Sequence, residues 1–405
     1  MAVNLTAKTA KELSTIDGVQ VYVGQAGVKK ENKDDLTLIL LAPSTRVAGV
    51  FTKNKFCAAP VQICKKHLAK EEHIRAIVIN TGNANAGTGE TGRENALQVC
   101  NAVAAQINCP VEQVLPFSTG VILEQLPAQK IINALPKVKP VHWDIAASAI
   151  MTTDTVPKSS SKQVKLDGKT ISITGIAKGS GMIHPNMATM LSFIATDATI
   201  SLTLLQKWVK EIADESFNCI TVDGDTSTND SFVIMATGKS GQPEINDENE
   251  SNALEIKKAL TEVALELSQA IVRDGEGASK FISINVNSAK DRDEARRVAY
   301  SIAHSPLVKT AFFASDANLG RLLCAIGNSG IEDLDVDKVQ MFLDNILVAE
   351  NGGRTPLYQE EDGARIMAKP EITVRVELQR GDAKATVYTC DLSHEYVSIN
   401  ADYRS

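Results

Sequence analysis

Lys178-Gly-Ser-Gly-Met-Ile-His-Pro-Asn-Met-Ala-Thr189-Met-Leu191 is a polar, kinked stretch that opens onto an apolar run. Gly179 and Gly181 loosen the backbone, Pro185 stiffens it, and a hydroxyl residue follows a small one at Ala188-Thr189. A segment of this kind can hold strain and present a nucleophile. Taken alone it reads as a turn, so its meaning depends on what surrounds it.

On both sides the chain alternates strand and helix signals. Leu36 to Pro43 and Ala76 to Asn80 are short apolar runs ended by proline or polar residues, as buried strands are. Val164 to Ile173 reads as a hairpin across Asp167-Gly168. Glu94 to Ile107 places Leu97, Cys100, Val103, Ala104 and Ile107 on one helical face. Ser201 suits the cap of a helix carrying Leu204, Leu205, Val209 and Ile212. Glu255 to Val272 repeats Ile256, Leu260, Val263, Leu267 and Ile271 at helical spacing. Phe281 to Val286 alternates with period two. Ile372 to Leu378 does the same, and Gln379-Arg380-Gly381-Asp382 then reads as a hairpin turn into Ala383 to Cys390. These signals predict an α/β chain with mixed sheets in two-layer packing. Gly238 to Asn252 is the main compositional break and reads as an exposed loop, with a second joint after Asn287-Ser288-Ala289-Lys290.

The bulk numbers narrow the function. A length of 405 residues suggests two or three domains. The formal net charge of −7 and a pI near 5.5 argue against a nucleic-acid surface. Seven scattered cysteines, none in a C-x-x-C pair, fit a reducing compartment and neither a disulfide framework nor a zinc site. Neither a signal peptide nor a stretch of about 18 apolar residues is present, so a cytoplasmic location without membrane contact is expected. Nucleotide motifs fail on spacing: Gly168-Lys169-Thr170 has Gln163 where a P-loop needs glycine. Asp274-Gly-Glu-Gly277 lacks the ligand count of a calcium loop.

The junction stretch closely resembles the self-cleavage site of the ornithine acetyltransferases (glutamate N-acetyltransferases) of arginine biosynthesis, the ArgJ family. The likeness runs from about Val19 to Ser405. It implies an ArgJ-type fold, cut at Ala188-Thr189 into pieces of 188 and 217 residues. The implied organisation is an N-terminal α/β region at 1–188 with the oxyanion hole, a segment 189–285 that begins with the nucleophile Thr189, and a C-terminal α/β domain at 286–405 whose tail docks at the active site. The chemistry agrees with a cut. A threonine hydroxyl attacks poorly until a base removes its proton, and none of the six histidines has a Ser-His-Asp setting. A threonine at a new N-terminus carries its own base, an α-amine with an unperturbed pKa of roughly 7.7–8.0.

The remaining assignments come from the same resemblance. Phe117-Ser-Thr-Gly-Val-Ile122 follows Leu115-Pro116, reads as a turn, and is similar to the family's Ser-Thr-Gly-Val-Ile-Gly segment; Thr119 and the Gly120 backbone are implied as the oxyanion hole. Leu123 stands where that segment has glycine. Within Ile150-Met-Thr-Thr-Asp-Thr-Val-Pro-Lys158, Thr153 is the implied substrate ligand, with Thr152 and Thr155 as the alternatives. Lys178 would pair with the α-carboxylate of an amino acid, Glu276 with an ornithine ammonium group, and Asn400 and Ser405 would complete the substrate set from the tail. Asn80 to Gly89, Thr221 to Thr226 and Ala314 to Arg321 also resemble family segments, without a role for any single residue. The implied reaction is ping-pong: Thr189 takes acetyl from N-acetylornithine and hands it to glutamate. No cofactor is implied; acetyl-CoA as a second donor is left open, and two cut protomers are expected to assemble as (αβ)2. Two rivals stand beside this reading. One is a self-processed threonine amidase or aminopeptidase with water as acceptor; the other is a glycine-rich scaffold or a regulatory amino-acid binder.

Overall fold

The computed structural model describes residues 2–166, 168–184 and 190–402. The expected site residues Ala188, Thr189 and Ser405 therefore lie outside the described residues. The chain forms two compact units: Ala7–Asn218 with Asp225–Ile271, and Met1–Thr6 with Cys219–Gly224 and Val272–Ser405.

The larger unit begins with β1 (Val19–Gly24), β2 (Leu36–Leu41), β3 (Arg46–Phe51), α1 (Ala59–Leu68), β4 (Ala76–Asn83) and α2 (Gly89–Ile107). It continues with β5 (Val114–Val121), α3 (Ala128–Ala134), β6 (Lys139–Val141), α4 (Trp143–Ala149), β7 (Lys158–Leu166) and β8 (Lys169–Lys178). The last elements are β9 (Leu191–Thr196), α5 (Leu202–Glu215), β10 (Ser231–Ala236) and α6 (Ser251–Arg273), whose final turn enters the smaller unit.

Two five-stranded sheets result, ordered β5-β4-β2-β1-β6 and β3-β10-β9-β8-β7. Both are mixed: β4–β5 and β9–β10 pair in parallel, the other neighbours antiparallel. Their inner faces share one core, where Ile39, Ile77 and Phe117 meet Val47, Ile176, Phe193 and Met235. Phe117 and Phe193 make an edge-on ring contact at 4.9 Å across it, and burying each ring contributes roughly 1.5–3 kcal/mol. The outer face of the first sheet carries Leu36, Leu38, Val78 and Val114 against Val99 and Val103 of α2 and Ile131 of α3. Strand β2 is thus covered on both faces, which is why its sequence is a continuous apolar run rather than an alternation. On the second sheet, Ser160 of β7 donates to Glu266 of α6 at 2.6 Å. The five residues expected to line α6 are all buried, and Ser201 caps α5 by accepting from the Leu204 amide at 3.4 Å.

The smaller unit holds β11 (Phe281–Ala289), α7 (Arg292–Ala303), α8 (Pro306–Phe313), α9 (Leu319–Gly327), β12 (Gln340–Leu343), β13 (Ile346–Glu350) and β14 (Gly353–Arg354). Then come α10 (Glu360–Met367), β15 (Glu371–Glu377), β16 (Ala383–Cys390) and α11 (His394–Ala401). Its sheet runs β14-β13-β12-β15-β11-β16 and is also mixed. Ile282, Ile284, Val286, Val374 and Val376 pack with Val298, Ile302 and Ile326 from the helices.

One expectation fails here. β15 and β16 are strands, but they do not form a hairpin, because β11 lies between them. The connection steps over the end of β11: the Arg380 and Gly381 amides donate to the Ser288 carbonyl at 2.7 and 3.1 Å. Gln379 takes a φ of +57° to make the step, which spans roughly 9.5 Å, two strand spacings. The expected hairpin of β7 and β8, in contrast, forms, with Leu166 opposite Lys169; Asp167 of its turn lies outside the described residues. Among the described residues no helix is long and apolar enough to cross a membrane.

Candidate active site

In the larger unit the expected oxyanion residues are not in a turn; they form the end of β5, beside β4. Parallel pairing aligns Thr81 with Thr119 and Gly82 with Gly120, and the register then shifts at Asn83. Gly120 sits at φ +134°. A Cβ there would lie 2.2 Å from the Gly82 carbonyl carbon, so only glycine fits this crossing. Polar side chains lock the two strand ends. Ser118 Oγ donates to Asn80 Oδ1 at 2.6 Å, and Asn80 Nδ2 donates to the Asn83 carbonyl at 2.8 Å. Leu123 lies exposed at φ +70°, a leucine in a left-handed conformation that suits glycine.

The junction loop leaves and re-enters the second sheet at one place, because Lys178, the last residue of β8, pairs with Leu191, the first of β9. Two contacts tie that place to β5. Asn229 Nδ2 donates to the Ser118 carbonyl at 2.9 Å and to the Ala84 carbonyl at 2.6 Å. Two residues on, the Ser231 amide donates to the Met190 carbonyl at 2.8 Å. The segment 229–231 therefore bridges the Thr119 strand end to the residue that follows Thr189.

Thr153 lies half-buried in the loop entering β7, and Lys178 is half-buried as well. Between them sits a group that the sequence reading passed over. Asp154 and Lys158 form an ion pair of 2.7 Å with both side chains fully buried. Asp154 also accepts the Gly179 amide at 2.7 Å and the Thr152 amide at 3.0 Å. Burial alone would raise the Asp154 carboxyl. The Lys158 and Lys178 charges, with hydrogen bonds from Lys158 and the Gly179 amide, overcome it and hold the group well below its ordinary 3.8. A depressed folded-state pKa gives stability that is present above the unfolded value and lost as pH falls through the folded one. The stability of the wild type relative to D154N/K158M, followed by urea unfolding, is therefore expected to hold from about pH 7 to about pH 4 and to drop only in stronger acid.

In the smaller unit, Glu276 and Asn400 are brought together from 124 residues apart. Asn400 Nδ2 donates to Glu276 Oε2 at 2.8 Å, and the Glu276 residue is 6% exposed. The tail helix α11 is docked: Ser393 Oγ donates to the Gly277 carbonyl at 2.7 Å, and Tyr396 Oη donates to Asp223 at 3.2 Å. Asp223 lies in the Thr221 to Thr226 segment that had carried no role. Among the described residues no group of three or more His, Cys, Asp or Glu is placed to hold a metal ion.

Asp154, Asn80, Asn229 and Asp223 had not been singled out. Asp154 lay within a quoted motif, four residues before Lys158, and that spacing was its one available signal. Asn229 has none, since its partners are carbonyls 111 and 145 residues away.

Two mixed sheets packed face to face, with a glycine-dependent strand end bridged to Met190, make the larger unit a two-sheet α/β body. A model of the ArgJ family matches residues 20–405. The chain is 65% identical to the arginine biosynthesis bifunctional protein ArgJ of Neisseria meningitidis, over the full length of both. Among solved structures, the arginine biosynthesis bifunctional protein argJ of Bacillus halodurans is 38% identical, with 52% of this chain and 97% of that one covered and a TM-score of 0.49. The ornithine acetyltransferase of Mycobacterium tuberculosis, complexed with ornithine, is 32% identical over 45% of this chain and 98% of that one, with a TM-score of 0.38. The chain belongs to the ArgJ family.

Proposed function

We propose that this chain is an N-acetyltransferase of arginine biosynthesis that moves acetyl from N-acetylornithine to glutamate through an ester on Thr189. The chain first cuts itself. The Thr189 hydroxyl attacks the Ala188 carbonyl, the peptide nitrogen is released as an amine, and water hydrolyses the ester to leave Ala188 as a carboxylate. In the transfer, the freed amine takes the hydroxyl proton as the oxygen attacks the acetyl carbonyl. Thr119 and the Gly120 amide hold the developing oxyanion. The amine returns the proton to the departing nitrogen of ornithine. Glutamate's amino group then attacks the ester, leaves as N-acetylglutamate and restores Thr189.

Thr153, Lys178, Glu276, Asn400 and Ser405 hold the substrate, with Lys178 on a carboxylate and Glu276 on an ammonium group. Acetyl-CoA is a second donor in this reading, and no resident cofactor takes part. Two cut protomers assemble as (αβ)2 in the cytoplasm. The observation that supports this most directly is the 229–231 bridge, which links the end of β5 to Met190 beside the nucleophile.

Intact mass spectrometry tests it. Purified protein should give pieces of 188 and 217 residues. N-acetylornithine should add about 42 Da to the larger piece, and glutamate should remove it. A fully active chain that remains whole would overturn the mechanism. Ornithine release that glutamate does not accelerate would mark water as the acceptor instead.

A further inference from the structure

One buried carboxylate touches two of the segments that the proposed function assigns to substrate, the one around Thr153 and the one after Lys178. We propose that Asp154 is a positioning residue: it holds Thr152-Thr153 and Lys178-Gly179 in register, setting the geometry for self-cleavage and for substrate binding. The inference rests on the proposed function and names a residue that this function does not use.

Three backbone groups converge on the Asp154–Lys158 pair. Asp154 Oδ1 accepts Lys158 Nζ and the Gly179 amide, both at 2.7 Å, while Oδ2 accepts the Thr152 amide at 3.0 Å. Lys158 Nζ also donates to the Val156 carbonyl at 3.2 Å, so the pair ties down the loop 152–158 as well as the start of the junction. Both side chains are fully buried, and a carboxylate held by three donors in a dry site has little freedom to move. Gly179 sits at φ +154°, and a Cβ there would approach Ile183 at 3.0 Å. Its amide is thus fixed in a conformation that leads the chain out of β8, one residue after Lys178. Thr153 is flanked by two residues of the network, Thr152 through its amide and Asp154 itself. Replacing such a pair by neutral groups can leave stability nearly unchanged, which separates positioning from support of the fold.

The full chain is synthesised in a cell-free system and self-cleavage is followed by denaturing electrophoresis, then the cut enzyme is assayed. D154N/K158M should melt near the wild-type temperature, cleave at least about tenfold more slowly, and raise KM for N-acetylornithine more than it lowers kcat. A folded D154N/K158M with wild-type cleavage and KM overturns the inference. Should that variant fail to fold, Asp154→Glu keeps the negative charge but displaces the oxygens by one methylene. Tenfold slower cleavage then supports the inference and a wild-type rate overturns it. A wild-type chain that stays whole counts against self-cleavage itself, and the KM comparison still decides whether Asp154 positions substrate.

Discussion

Replacing Thr189 with alanine is expected to give one uncut band of 405 residues and to lower transfer activity by on the order of 10⁶-fold. The loss is large because one side chain is asked for two attacks, first on the Ala188 carbonyl and then on the acetyl group. Without the first attack there is no free amine, so the base disappears together with the nucleophile. Thr189→Ser keeps the hydroxyl and should still produce both pieces. Electrophoresis of freshly purified protein, followed by an assay of ornithine release, checks both variants. An uncut T189A that retains even a hundredth of wild-type activity would rule out the ester.

Gly120→Ala is expected to damage both activity and stability. Its new Cβ would meet the Gly82 carbonyl carbon at 2.2 Å and the Asn83 amide nitrogen at 2.5 Å, and these are backbone atoms that cannot rotate away. The β4 and β5 ends must separate, which strains the Ser118–Asn80 bond and the Asn229 bridge. Overpacking and an unfavourable φ together cost about 3 kcal/mol, enough to lower the melting temperature by roughly 6–12 °C. Moving the amide away from the oxyanion should reduce kcat by about 10²–10³-fold. Differential scanning calorimetry and steady-state kinetics read the two effects separately. A variant with a wild-type melting temperature and kcat would remove Gly120 from the site.

Much of the architecture was legible because it rests on local patterns. The period of α6 and the Ser201 cap of α5 are set by neighbours within one or two turns, and the Leu166–Lys169 hairpin by two residues. The order of strands was not legible. Gln379 to Asp382 carries turn chemistry that suits either a hairpin or a step over a neighbour, and Ser288, far away in sequence, selects the second. The Ser118-Thr119-Gly120 segment looked like a turn because it contains small polar residues, yet pairing with β4 makes it a strand end.

At the candidate site, the resemblance named the residues that the proposed function sets against substrate and did not name the buried groups around them. Asp154 was hidden because an acidic residue next to threonines looks like a surface group, and its burial follows only once Lys158 and Gly179 close around it. The Glu276–Asn400 contact depends on how a tail helix returns to a turn formed more than a hundred residues earlier.

The placement of β9 and β10 between β3 and β8 sets the order of events that the proposed cut requires. The proposed break after residue 188 would assign β3, β7 and β8 to one product and β9 and β10 to the other, yet in the order β3-β10-β9-β8-β7 the second pair lies between strands of the first product. Taken separately, the later product would have a two-strand ribbon with both edges bare, and the earlier one a sheet with its middle missing. If the chain cuts itself as proposed, the cut must follow folding, and the halves should resist dilution and separate only under denaturants. Expressing 1–188 and 189–405 as independent polypeptides would require each to wait, aggregation-prone, for its counterpart. A single chain that is cut late, as proposed, avoids that hazard.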